Sequence, residues 1–309
     1  MFKWSRKFSI RFFVLALLAA GYAQAQQSAP ATAQQQPARR FLMWKASSPT
    51  ATVYLVGSIH VGDTSMYPLP AGVESAFAAS KVLAVEINVK NMDPSRTLQM
   101  VQEFGMYSDS DNLTHHLSKE TSDALETFCS IHGLPRAALE QFKPWLVGIT
   151  VIGLSYKEAG EDPALGIDMH FLNEVKQPQR ISELETAEFQ MSLFANATEQ
   201  EQQDLLADEL KQVDKVKDVL HRIQDAYVSG DPEKLQKMMD EENTGPKTLM
   251  KKLLDDRNVT MASKVDEFLK GKEQVFVVVG AAHLIGDKGV VKLLRDKGYH
   301  VEQVVLDSR

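Results

Sequence analysis

The sequence VYLVGSIHVGD spans residues 53–63, and a second segment of the same design, VFVVVGAAHLIGD, spans residues 275–287. In both, an apolar run ends in Gly-x-x-His and then reaches Gly-Asp a few residues later. Such runs are typical of buried strands, and ligands of open α/β sheets gather at the carboxyl ends of the strands. The repeated pattern therefore predicts that His60 and His283 lie together at one edge of one sheet.

The flanking sequence predicts an α/β fold. Periodicity and turn residues indicate strands and helices that alternate at both ends of the chain. The expected strands are Leu42–Ala46, Thr52–Val56, Val82–Ile87, Val275–Val279 and His300–Leu306, and the expected helices are Pro70–Ser80, Asp93–Phe104 and Lys288–Lys297. We expect a mixed, mainly parallel sheet formed from the N- and C-terminal β-α-β segments, with a helical layer inserted between them. No linker-like segment interrupts residues 41–309, which favours one domain.

Two segments of the middle region have helical patterns. Trp145–Tyr156 is apolar on every face, which predicts a helix buried in the core. Residues 198–228 have apolar side chains at steps of three and four, which predicts one amphipathic helix of about 30 residues. The charged face of that helix is either solvated or a docking face for a partner.

The N-terminus resembles a secretory leader. Four basic residues precede an apolar run, and Ala23-Gln24-Ala25 supplies the small residues that a signal peptidase reads. We expect residues 1–25 to be removed, residues 26–40 to form a disordered spacer, and the protein to be periplasmic or secreted. The apolar run is short for a membrane span, so stable membrane insertion after cleavage is not expected; an uncleaved anchor is the alternative.

Charge and cysteine content exclude some functions. Removing the leader takes four basic residues and no acidic ones from a chain of net charge −7, so the mature protein carries −11. An acidic exported protein is a poor candidate for binding nucleic acid. Cys129 is the only cysteine, so it has no intrachain disulfide partner, and its helical apolar setting indicates a small buried residue.

A carboxylate accompanies the two histidines. Glu86 is the one charged residue of VLAVEI, and a buried carboxylate is generally paired or bound to a metal. Gly57 and Gly280 follow the two strands and permit a sharp turn or a close backbone approach. Two imidazoles and a carboxylate from three strand ends form a typical ligand set for a catalytic divalent metal ion such as Mn, Co or Zn. The alternatives are loop histidines bonded to the backbone and a glutamate paired with Lys or Arg.

Several motifs in order resemble the TraB/GumN family. They are GSIH, AVEIN, FKPW, GIDMHF, LET, LLDDRNVTMA and VVGAAHLIGDKGVVKLLRDKGY, and the similarity extends from about Leu42 to Val305. The family includes the Tiki proteins, regarded as metal-dependent proteases, and shares a fold with erythromycin-esterase-like and haem-uptake ChaN-like proteins. The resemblance implies an active centre of two Gly-x-x-His motifs and a Glu, which correspond to His60, His283 and Glu86.

The same motifs supply further candidates. Arg257 and Asn258 could orient a substrate carbonyl or carboxylate, or Arg257 could belong to a surface ion cluster. If Glu86 is a metal ligand, the general base must be another acid, with Asp168 or Glu185 as candidates. Asp168 and His170 could instead be a further metal ligand or support one, and Asp168 could also be a helix N-cap.

These observations favour an exported metal-dependent hydrolase of peptidase type, with a peptide or small molecule as substrate. Two other classes remain open at this stage. One is a protein that binds haem or a peptide without turnover, and the other is an accessory protein of the cell envelope.

Overall fold

The computed structural model describes residues 40–242 and 245–306. The predicted leader, residues 1–25, and all but the last residue of the predicted spacer lie outside the described residues. Within the described part, no helix has the length and apolar character needed to span a membrane.

The core element is a six-stranded sheet. Its strands are β1 (Arg40–Ser47), β2 (Thr52–Ser58), β3 (Val82–Val85), β4 (Arg180–Glu183), β5 (Gln274–Gly280) and β6 (His300–Val305). Their order across the sheet is β4-β3-β5-β2-β1-β6. The pairs of β2 with β5, β5 with β3 and β3 with β4 are parallel, whereas β1 is antiparallel to both of its neighbours. The predicted mixed, mainly parallel α/β sheet is thus confirmed.

Helices follow the strands and fill the middle of the chain. They are α1 (Ala71–Ala78), α2 (Pro94–Gly105), α3 (Lys119–His132), α4 (Pro144–Glu158), α5 (Ile167–Glu174), α6 (Ala187–Ala195), α7 (Glu199–Gln212), α8 (Val216–Val228), α9 (Pro232–Glu242), α10 (Lys247–Lys251), α11 (Arg257–Leu269), α12 (Ala281–Leu284) and α13 (Val290–Asp296). A π-helical turn, Lys252–Asp256, leads into α11. Only short connections and 3-10 turns separate most of these elements, as expected for a compact α/β unit.

Apolar packing holds the helical layer onto the sheet. The largest cluster of buried side chains joins β1, β2, β3 and β5 to helices α1, α5, α8 and α11. In it Phe77, Phe171 and Phe276 meet with ring centroids 4.8 to 5.4 Å apart, in tilted or edge-on arrangements that aromatic rings favour. Trp145 is fully buried and Tyr156 is 2 % exposed, so α4 is the core helix that its apolar sequence predicts.

The predicted single helix over residues 198–228 is wrong. A 3-10 turn, Val213–Lys215, divides it into α7 and α8. Both halves contact α4, but α7 also packs on α3, whereas α8 also packs on β1 and α9. The apolar period continues across the turn, so the sequence pattern alone does not reveal the break between the two helices.

Two further features of the sheet differ from expectation or add to it. The segment β5-α13-β6 keeps its predicted order, but β6 pairs antiparallel with β1 at the sheet edge rather than lying beside β5. Edge strand β4 was not predicted, because its sequence Arg-Ile-Ser-Glu is mostly polar and exposed. Such a composition suits an edge strand and gives a weak sequence signal.

Candidate active site

The site lies where three parallel strands end. In the register of β2 with β5, Ser58 is opposite Gly280, so the two Gly-x-x-His segments leave the sheet side by side. Glu86 is the first residue after β3, which is the other neighbour of β5. His60 follows β2 by two residues, and His283 lies in α12 directly after β5. The sheet therefore brings all three predicted side chains to one edge.

The two imidazoles converge on one carboxylate oxygen of Glu86. Nε2 of His60 is 3.8 Å from Oε1 of Glu86, and Nε2 of His283 is 3.9 Å from the same atom. All three side chains are buried, with at most 9 % of each exposed. Gly280 makes this convergence possible, because a Cβ there would lie 3.2 Å from the His60 ring and 3.4 Å from Glu86.

Asp168 orients His60. Its Oδ1 is 3.0 Å from Nδ1 of His60 and accepts a 2.6 Å hydrogen bond from the Ser58 hydroxyl. With Nδ1 held against an acceptor, Nε2 faces Glu86, as in sites where a carboxylate fixes a ligating imidazole. The interpretation of Asp168 as a helix N-cap is wrong, because Gly166 is the N-cap of α5. His170 points elsewhere and pairs with Glu74 at 2.8 Å.

Asn258 orients His283 in a corresponding way. The Asn258 amide nitrogen donates to the carbonyl of Lys288 at 2.9 Å, which turns its Oδ1 toward Nδ1 of His283 at 2.6 Å. An amide oxygen only accepts, so Nδ1 of His283 carries a proton and, in the neutral ring, Nε2 carries the lone pair. That tautomer is the one that can ligate a metal through Nε2.

A buried ion-pair network holds Glu86. Arg257 donates to Oε2 of Glu86 at 2.6 Å and binds both carboxylate oxygens of Glu185 at 2.7 to 3.0 Å. Gln190 donates to Oε2 of Glu86 at 3.1 Å and to Glu185 at 2.9 Å. The backbone N–H of Gly280 donates to Oε1 of Glu86 at 2.7 Å. Arg257 is 3 % exposed, so it does not belong to a surface ion cluster.

The network gives the two imidazoles opposite protonation tendencies. Burial lowers the pKa of His60, but the charge and hydrogen bond of Asp168 and the charge of Glu86 raise it to about 9. Burial and the nearby Arg257 lower the pKa of His283 to about 3. Burial would raise the pKa of Glu86, yet Arg257 above all holds it well below the usual range. In the metal-free site, His60 is therefore cationic, His283 neutral and Glu86 ionised near neutral pH.

The charges of the site fit a divalent cation. The site contains one guanidinium, on Arg257, and three buried or nearly buried carboxylates, which leaves two negative charges to be balanced. The carboxylates are those of Glu86, Asp168 and Glu185. A proton on His60 balances one of these charges, whereas a divalent ion in its place would balance both.

The donor spacing is slightly wider than an ion needs. Metal bonds of about 2 Å at tetrahedral angles place neighbouring donors about 3.3 Å apart, whereas the two Nε2-to-Oε1 separations are 3.8 and 3.9 Å. Among residues 40–242 and 245–306, no group of three or more His, Cys, Asp or Glu side chains is arranged to hold a metal ion as it stands. Ligation by all three donors therefore requires some adjustment of the side chains.

Comparison with known proteins places the chain in a family. The model of the TraB/PrgY/gumN family matches residues 42–303. The chain belongs to the TraB/PrgY/gumN family. It is 24 % identical over 243 residues to "Uncharacterized protein YbaP" of Escherichia coli (strain K12), which covers 78 % of this chain and 87 % of that protein. The protein of the same name from Shigella flexneri has the same identity and coverage. No solved structure matches the chain.

Three residues of this TraB/PrgY/gumN member reach the site without having been predicted. Gln190 lies on α6 and contacts two carboxylates, and Ser58 supports Asp168. Tyr227 of α8 donates from its hydroxyl to the carbonyl of Gly57 at 2.7 Å. Ser58 lies inside GSIH, and Gln190 interrupts an apolar helix face, so both had a sequence signal. Tyr227 had none, because an aromatic residue at helical spacing is ordinary core.

Two open cavities lie next to the site. A cavity of about 930 Å³ and another of about 470 Å³ share the wall formed by Ile285, Gly286 and Asp287, just after His283. The smaller one is lined by Asn258. Neither is lined by His60 or Glu86. In this family member, Asn258 thus lines the smaller cavity and also contacts His283.

Proposed function

We propose that the protein is an exported metal-dependent hydrolase of peptidase type. The observation that carries the proposal is the convergence of His60 and His283 on one oxygen of Glu86, with Nδ1 of each ring held by an oxygen acceptor. This arrangement prepares two ring nitrogens and a carboxylate oxygen as donors to one divalent ion, of which Mn, Co and Zn are the candidates.

Each of the residues that form the site has a role in this proposal. His60 and His283 would hold the ion, and Glu86 would offer it Oε1 or take a proton from the attacking water. A divalent ion bound there would supply Lewis acidity toward a substrate carbonyl and acidify water. Asp168 and Asn258 orient the two imidazoles.

Arg257 and Glu185 act as a unit in this proposal. The guanidinium holds Oε2 of Glu86, so that Oε1 faces the histidines. We assign Glu185 to fixing Arg257 rather than to general base catalysis, because both of its oxygens are bonded to the guanidinium. A general base needs an oxygen within reach of the proton that it accepts. Asp168 is likewise engaged by His60 and Ser58. This leaves Oε1 of Glu86, which among the described residues accepts only from the Gly280 N–H, as the carboxylate oxygen that faces both imidazoles.

Export is a separate part of the proposal. Cleavage after Ala25 would leave Gln26 as the first residue of a periplasmic or secreted protein. Mass spectrometry of the protein from cell fractions tests it directly. An intact leader in a membrane fraction would indicate an N-terminal anchor instead.

The catalytic proposal is tested on variants of the three donor residues. Purified wild-type protein, His60→Ala, His283→Ala and Glu86→Gln are assayed for Mn, Co and Zn content and for cleavage of a peptide library. Both histidine variants should lose metal and cleavage together, because two donors rarely hold a catalytic metal. His300→Ala, an exposed histidine on β6, is the matched control and should retain both. Wild-type metal content and cleavage in all three donor variants would refute the proposal.

A binding protein without turnover is the second candidate. The observation that favours it is that Arg257 and the Gly280 N–H already give both oxygens of Glu86 a hydrogen-bond partner, so its burial does not depend on a metal. In that case a peptide, haem or another small molecule would bind without cleavage, and binding would survive His60→Ala. The accessory-protein alternative would dock through the charged faces of two helices, α7 and α8, rather than of one helix over residues 198–228.

A further inference from the structure

Two chain segments next to the site are joined by backbone hydrogen bonds. The first, residues 59–66, carries His60, and the second, residues 160–167, leads into the helix of Asp168. The backbone N–H of Asp162 donates to the carbonyl of Gly62 at 2.9 Å, and the N–H of Gly62 donates back to Asp162 at 3.2 Å. A further bond of 3.1 Å joins the N–H of Ile167 to the carbonyl of Ile59. These two segments, called the loop pair below, fix the relative position of His60 and Asp168.

A buried carboxyl group lies in the loop pair and has no part in the proposed mechanism. Glu161, next to the paired Asp162, is 6 % exposed. Its Oε1 accepts a 2.7 Å hydrogen bond from Gln224 of α8. Its Oε2 is buried and has no hydrogen-bond partner among the described residues. A carboxylate with one neutral donor is poorly compensated, because a buried charge needs a countercharge or several donors.

The charged groups around Glu161 come from both neighbouring elements. Asp63, on the first segment of the loop pair, is a like charge, and His221, on α8, is the nearby group that favours ionisation. Burial is the largest influence and raises the pKa of Glu161, and Asp63 raises it further. Gln224 and His221 oppose this shift. Burial and the charge of Asp63 outweigh Gln224 and His221, so Glu161 retains its proton to a higher pH than a free glutamate does.

We propose that Glu161 is a proton-sensing carboxyl group whose protonation tightens the loop pair and whose ionisation loosens it. Loss of the proton places a negative charge beside Asp63 in a setting with a single donor, and the paired backbone of residues 62 and 162 is where the strain can be relieved. The site geometry around His60 would thus depend on the acidity of the compartment. The importance of this pH dependence for catalysis rests on the proposed function, whereas the expected change in the loop pair does not.

The test measures backbone exchange in the metal-free protein. Hydrogen exchange with mass spectrometry, corrected for intrinsic rates, is followed for peptides covering the loop pair at about pH 5 and about pH 8. In the wild type, protection of the loop pair should fall several-fold at the higher pH. Glu161→Gln, which has the shape of the protonated side chain, should retain its protection at both. Glu267→Gln, an exposed glutamate on α11, removes the same charge and should behave like the wild type.

Two further comparisons keep the outcome decisive. His60 titrates in every variant, so only the difference between wild type and Glu161→Gln is attributed to Glu161. Asp63→Asn removes the like charge and should move the loss of protection to lower pH, because Glu161 then releases its proton more readily. An identical pH response of wild type and Glu161→Gln would overturn the inference. If that difference persists while the donor variants leave metal binding and cleavage unchanged, only the proposed function is lost.

Discussion

Replacing Glu86 by glutamine should destabilise the protein even in the absence of metal. The side chain accepts hydrogen bonds from three donors, which are the guanidinium of Arg257, the amide of Gln190 and the backbone N–H of Gly280. A carboxylate can accept at both ends, but an amide has only one oxygen. In either orientation the new NH₂ group faces a donor, so Glu86→Gln is not a neutral substitution here.

The less damaging orientation sets the expected magnitude. With the amide oxygen kept against Arg257 and Gln190, the N–H of Gly280 loses its acceptor and becomes a buried orphan. A hydrogen bond to a charged group contributes about 1.5–3 kcal/mol, and an unsatisfied buried donor costs about 1–3 kcal/mol. Since Glu185 still compensates Arg257, the cost should remain below that of isolating a buried charge. We expect the free energy of unfolding to fall by roughly 3 kcal/mol.

Urea unfolding followed by circular dichroism in the presence of a chelator measures this difference. Glu188→Gln, which breaks an exposed pair with Arg96, is the control and should cost at most about 1 kcal/mol. A loss of less than about 0.5 kcal/mol for Glu86→Gln, with an unchanged dependence on urea, would show that Glu86 does not accept from all three donors. Metal content and cleavage by Glu86→Gln then distinguish the two roles of Glu86. Loss of a ligand lowers both, whereas loss of the general base lowers cleavage alone.

Three other changes probe the parts of the site separately. Because the pKa of His60 is raised to about 9 from an ordinary 6.5, its contribution to stability is present below pH 6.5 and is lost as pH rises through 9. Asp168→Asn should lower the pKa of His60 and therefore the pH at which this contribution to stability is lost. NMR titration of the His60 ring and unfolding at several pH values measure both. Asn258→Leu removes the acceptor that fixes the His283 tautomer and should weaken metal binding by about 10- to 100-fold in calorimetry. Gly280→Ala places a methyl group against His60 and Glu86 and should weaken metal binding at least about tenfold while the fold remains.

Each of these predictions has a clear contrary result. An unchanged His60 titration in Asp168→Asn would mean that the carboxylate does not hold the imidazolium. Wild-type metal affinity in Asn258→Leu would remove the amide from the positioning of His283. Gly148→Ala, where an added Cβ meets nothing closer than 3.6 Å, is the matched control for Gly280→Ala, and equal affinities of these two variants would contradict a crowded centre.

Local sequence determined which residues could meet. The apolar runs of β2, β3 and β5 bury themselves as strands, and a strand that ends in Gly-x-x-His or Glu delivers that side chain to the sheet edge. These signals are local, so His60, His283 and Glu86 could be selected from the sequence. The same holds for the buried helix around Trp145, whose apolar composition leaves no solvated face.

Only the tertiary structure decided how those residues are held. Asp168 reaches His60 across 108 positions of sequence, and Arg257 reaches Glu86 across 171. Neither period nor propensity encodes contacts over such separations, because they depend on strand register and on which helix packs over which strand end. For that reason the sequence alone allowed Asp168 to be either a helix N-cap or a residue that supports a metal ligand. It also left Glu185 as a candidate general base. The placement of α5 assigned Asp168 to His60, and the placement of α11 bound Glu185 to Arg257.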